Sequence, residues 1–109
     1  RNFIHIKDVV RGIIFSIRNF NKLKSNVYNL GLSNANITKI DLAKKIKKQY
    51  KKLKITTIKN KSDPDKRDYF VSNAKIEKKG FKAKVSLDSG IKELIQIFKN
   101  NKNKIINNY

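Results

Sequence analysis

Short aliphatic runs alternate along this chain with longer stretches in which apolar side chains recur at helical spacing, and that alternation constrains the fold most strongly. Val9, Val10, Ile13, Ile14, Ile17 and Phe20 repeat with a helical period behind Asp8, a residue type that caps helices. Gly12 lowers the propensity of this helix, which predicts a close packing contact there. Leu42, Ala43, Ile46, Tyr50 and Leu53 form a second apolar face, with lysines at 44, 45, 47, 48, 51 and 52 on the others. Thr38 occupies its N-cap position and Asp41 follows three residues later, a near capping box. Ile37 and Leu42 take the two places of a hydrophobic staple. Ser72 starts a brief helix reaching Lys79, closed by Gly80. Ser86 caps a last one carrying Leu87, Ile91, Leu94, Ile95 and Phe98, with Asp88 and Lys99 placed to complement its dipole. Between these, residues 3–6, 27–30 and 55–58 predict short strands, and 68–71 an extended segment. The spacing predicts an α/β fold of short parallel strands with about four helices. Parallel strands need cover on both faces, so part of this sheet is expected to pair with sequence outside the chain. Residues 1–99 then form one lobe and 100–109 a frayed polar tail.

Charge narrows the function classes less than it first suggests. Lys+Arg number 27 against 8 Asp+Glu, a formal net charge of +19. Lys, Asn, Ile and Tyr together fill 57 of the 109 positions, and all four share A/T-rich codons, so coding bias accounts for the composition. A free-standing basic α/β module that binds nucleic acid is the alternative function. Scarce Arg and lysines spread over every helix disfavour specific nucleic-acid recognition. The absence of Cys removes disulfides, thiol nucleophiles and thiolate zinc sites. No apolar run nears the ~18 residues of a membrane span, so a cytoplasmic protein is expected. The chain has no Met and opens at Arg1 beside the apolar run Phe3-Ile4-His5-Ile6, which leads us to expect a fragment whose other half lies upstream.

Several apparent motifs dissolve on inspection. Glycines 12, 31, 80 and 90 form neither G-x-G-x-x-G nor a phosphate loop. His5 is the one histidine, and within an apolar run it reads as a packed residue. Asp63, Asp65 and Asp68 suggest a calcium loop, but Asp68 stands where Gly is required and Ala74 where Glu is required. Tyr50 and Lys54 make Y-x-x-x-K, a spacing that lysine abundance produces readily by chance.

Three stretches, in order, resemble one family. Arg1-Asn2-Phe3-Ile4-His5-Ile6-Lys7-Asp8-Val9-Val10-Arg11-Gly12 resembles the R-D-F/Y-I-H-V-x-D-V-V-x-G segment of the extended short-chain dehydrogenases, the NAD-dependent epimerase/dehydratase family. Val27-Tyr28-Asn29-Leu30-Gly31 is similar to its V-Y-N-x-G turn. The stretch from Asp63-Pro64-Asp65-Lys66-Arg67-Asp68-Tyr69 to Lys75, with Gly80-Phe81 and Leu87-Asp88-Ser89-Gly90-Ile91, resembles its D-x-R-x-Y ending. The resemblance covers residues 1–98 and implies the C-terminal substrate-binding lobe of an extended Rossmann-type enzyme. It implies a nucleotide-diphosphate-sugar substrate, with NAD held by a missing N-terminal domain that carries the catalytic Tyr and Lys, and a parent that dimerises through that half. By the same resemblance Arg1 contacts the diphosphate and Phe3 lines the nucleotide pocket. Asp65 binds the nucleoside beside Tyr69, Arg67 substitutes for a second phosphate-binding Arg, and Asn34 faces substrate. No catalytic, cofactor-binding or metal-ligating residue is expected within the chain itself.

Overall fold

The computed structural model describes residues 1–58 and 69–101. Five helices follow in order: α1 (Ile6–Arg18), α2 (Phe20–Leu23), α3 (Lys39–Gln49), α4 (Ala74–Glu77) and α5 (Leu87–Asn100). Two of the expected caps are present. Thr38 Oγ1 accepts from Asp41 N–H at 3.1 Å and Ser86 Oγ accepts from Ser89 N–H at 3.1 Å, each satisfying a donor that a helix leaves unpaired at its start. Gly80 has φ 102°, the left-handed conformation that ends α4. Gly12 also behaves as expected: a Cβ there would lie 2.8 Å from the methyls of Leu30.

The expected α/β architecture is overturned. Among the described residues no strand forms, and the one β interaction is an isolated antiparallel bridge between Asn2 and Asn36. The physical reason is that a β-branched run becomes a strand only when a ladder partner lies beside it. Residues 27–30 run without such a partner, and Val27 is 86% exposed instead of buried. Residues 55–58 belong to no helix or strand and are largely solvent-facing. The first run ends early because His5, not Asp8, is the N-cap of α1, its Nδ1 accepting from Lys7 N–H at 3.1 Å. The same finding removes the parallel sheet from both the family-based and the free-standing reading. Residues 19–26, expected as a connection, contain the short helix α2. Asn73, not Ser72, flanks α4, and α5 continues through Asn100, the first residue assigned to the tail. The rest of the tail and the turn around Pro64 lie outside the described residues.

Asp8, displaced from the cap, ties the molecule together. It is fully buried, and its Oδ2 accepts from Lys84 N–H at 2.9 Å and Val85 N–H at 2.8 Å while Oδ1 accepts from Arg11. Burial opposes its charge, but the hydrogen bonds from Val85, Lys84 and Arg11 outweigh that and hold the carboxyl below its ordinary value. Leu32, Ala35 and Ala83 form the small core at this junction, with Phe3, Ile4 and Leu87 packed on it. Helix α3 lies on α5 through Lys45 Nζ to Asp88 at 3.3 Å and Gln49 Nε2 to the Asp88 carbonyl at 3.0 Å. At the other end of the junction Glu93 on α5 receives Lys7 Nζ at 3.1 Å and faces His5 Nε2 at 3.3 Å. His5 is thus occupied on both ring nitrogens by structural contacts.

Candidate functional site

Three segments distant in sequence meet at the N-terminal end of the chain. Residues 1–3 run antiparallel to residues 35–37: Arg1 nitrogen donates to Ile37 O at 3.0 Å, Ile37 N–H returns to Arg1 O at 3.0 Å, and Phe3 N–H donates to Ala35 O at 3.2 Å. Asn36 then links this pair to the third segment. Its Oδ1 accepts from Val71 N–H at 3.0 Å and its Nδ2 donates to Val71 O at 3.0 Å, so one amide side chain serves as the strand partner that Val71 lacks. Asn2 fixes the opposite side by donating from Nδ2 to Leu32 O at 2.8 Å. Gly31 leaves room for it, since a Cβ at Gly31 would lie 1.7 Å from Asn2 Oδ1.

This framework brings Arg1 to Tyr69. The guanidinium carbon lies 5.2 Å from the centre of the Tyr69 ring, within cation–π range. A guanidinium is planar, and its N–H donors can grip carboxylate or phosphate oxygens in pairs. Tyr69 is 45% exposed, so the stacked pair borders solvent.

The other candidates fall differently. Phe3 packs against the small core and lines an apolar hollow of about 440 Å³ shared with Leu42, Ile46, Leu87 and Leu94. Asn34 is exposed and makes no hydrogen bond to another described residue. Asp65 and Arg67 lie outside the described residues, as do Asp63 and Asp68 of the calcium-loop pattern. Among the described residues no group of three or more His, Asp or Glu could hold a metal ion. Tyr50 and Lys54 do not share a helical turn: Tyr50 is the C-cap of α3, and its ring receives Lys99 Nζ at 5.7 Å instead.

The described residues do not fit NAD. A dinucleotide seat needs glycines opening a helix at its N-terminus. Here Gly12 and Gly90 lie inside α1 and α5, Gly31 is closed over by Asn2, and Gly80 ends α4. Sequence reasoning missed Asn2 and Asn36, the residues that join the three segments. Their signal was present only as polar residues flanking apolar ones, which is indistinguishable from ordinary turn chemistry. No known protein-family model matches the chain. No described helix is long and apolar enough to cross a membrane.

Proposed function

We propose that this chain is the helical, nucleotide-diphosphate-sugar-binding part of an NAD-dependent sugar-nucleotide epimerase or dehydratase that works in the cytoplasm. The observation that carries this is the approach of the Arg1 guanidinium to the Tyr69 ring, 68 positions on in sequence, at 5.2 Å. These two positions are the first and the last of those that the family resemblance assigns to gripping the nucleotide diphosphate. Two further features favour it: the three motifs keep the family's order, and the Asn36 clamp on Val71 holds the Tyr69 segment beside residues 1–3.

In this assignment the chain binds and orients substrate. Arg1 supplies a planar donor fork to the diphosphate beside the Tyr69 ring; Asp65 and Arg67, which the resemblance assigns to the same substrate, lie outside the described residues. NAD accepts and returns a hydride when bound by another part of the enzyme, since the residues here offer it no seat. The parent enzyme is a homodimer through that other part.

Calorimetric titration with UDP-glucose, dTDP-glucose and GDP-mannose tests the proposal. At least one should bind more tightly than glucose or mannose by about a hundredfold, because the free sugar lacks the charged diphosphate. Equal, weak binding of sugars and sugar nucleotides would refute it. The purified chain should turn over none of them, because its sequence contains neither a dinucleotide loop nor a catalytic Tyr–Lys pair on one helical turn. Detectable epimer or dehydrated product would count against the division of labour.

A further inference from the structure

Helix α1 and the segment after α4 enclose a basic hollow that the Arg1–Tyr69 grip does not use. Arg11, Ile14, Phe15 and Arg18 stand at i, i+3, i+4 and i+7, so they share one face of α1. Beyond Gly80 the chain alternates: Phe81 and Ala83 are buried while Lys82 and Lys84 are exposed, which sends both ammonium groups to the same side. The two periodicities meet around an open hollow of about 600 Å³. Its floor is apolar, made by Ile14 and by the rings of Phe15 and Phe81, 5.6 Å apart.

The charges around this floor are not balanced. Arg11 is paired with the buried Asp8, its guanidinium carbon 5.8 Å from the Phe81 ring centre. Among the described residues, Arg18, Lys82 and Lys84 have no acidic partner and no carboxylate lines the hollow. Three unpaired cations about an apolar floor repel one another until an anion of more than one charge enters. The shape asks in addition for a flat apolar body beside that anion.

We propose that this hollow is a second binding site, for a phosphate ester carried on a flat ring, as in a nucleotide, whether free or within a single-stranded nucleic acid. Phosphate oxygens meet Arg18, Lys82 and Lys84, and the ring lies against Ile14 and Phe15. The fixed guanidinium of Arg11 forms the wall between them.

The test is titration of the whole chain with AMP, UMP, inorganic phosphate and a single-stranded oligothymidylate, followed by amide chemical shifts. Arg18→Gln with Lys84→Gln is the diagnostic variant; both side chains are exposed, so the fold should survive. Lys47→Gln with Lys48→Gln on α3 removes the same charge elsewhere. Mononucleotide should bind about tenfold more tightly than phosphate and lose about tenfold in the diagnostic variant, with the α3 variant unchanged. If the oligonucleotide alone shows that loss, the site stands and its source is nucleic acid; if the mononucleotide alone shows it, the source is the free nucleotide. Equal losses in both variants, or binding abolished by Arg1→Ala but indifferent to the diagnostic variant, would overturn the site, and the second result would leave the Arg1–Tyr69 grip standing.

Discussion

Asp8 joins helix α1 to the segment before α5 through a single buried carboxylate. Replacing it with Ala leaves the Lys84 and Val85 N–H groups and Arg11 without their acceptor, and should cost about 3 kcal/mol of unfolding free energy in urea denaturation. Its carboxyl ionises below 3.8 in the folded chain and near that value when unfolded. The sign follows from this: its contribution is complete above the unfolded value and disappears as pH falls through the folded one. Urea midpoints should therefore drop as the pH falls below about 4 in the natural chain by more than in Asp8→Asn. Gly31 offers a second test. A methyl at this position displaces the Asn2 side chain and its hydrogen bond to Leu32 O, so Gly31→Ala should lower stability by about 1 kcal/mol and loosen residues 1–3 first. Faster exchange of the Phe3 amide would report it.

At the scale of elements, helices were legible and strands were not. A helix satisfies its own backbone, so periodicity and caps were enough to place the starts of α3 and α5, and periodicity most of α1, although α3 ends at Gln49 and leaves Tyr50 and Leu53 of its expected apolar face beyond it. Ser86→Ala should accordingly cost about 1 kcal/mol in thermal or urea unfolding, with a similar loss for Thr38→Ala. A strand depends on neighbours, and residues 27–30 and 55–58 have the composition without the partner. The bridge between Asn2 and Asn36, and the use of the Asn36 side chain in place of a strand, carry no periodic signal at all. Asp8 was misplaced for a related reason: a carboxylate at a helix start looks the same whether it caps that helix or binds a segment far along the chain. The helix periods do reveal one thing that packing leaves unsettled. Ile6, Val10, Ile13 and Ile17 form an apolar stripe along α1 that remains exposed, Ile17 to 70%.

Over the whole molecule, the small core of Leu32, Ala35 and Ala83 sits within a chain whose formal charge is +19. Mutual repulsion among these lysines destabilises the compact state, and salt relieves it. Within the candidate site, the structure places Arg1 5.2 Å from the Tyr69 ring, and the sequence carried no sign of what joins the two segments. Arg1 and Tyr69 were nameable from the resemblance, whereas the antiparallel pairing of residues 1–3 with 35–37 required coordinates. The central claim is that Arg1 and Tyr69 act together on a nucleotide diphosphate, and a double-mutant cycle reads this directly. Nucleotide-sugar affinity would be measured by calorimetry for the natural chain, Arg1→Ala, Tyr69→Leu and the pair. Loss of about tenfold or more in Arg1→Ala, with the second substitution adding much less in the double variant than alone, is the expected result. Affinity unchanged in both single variants would contradict the claim.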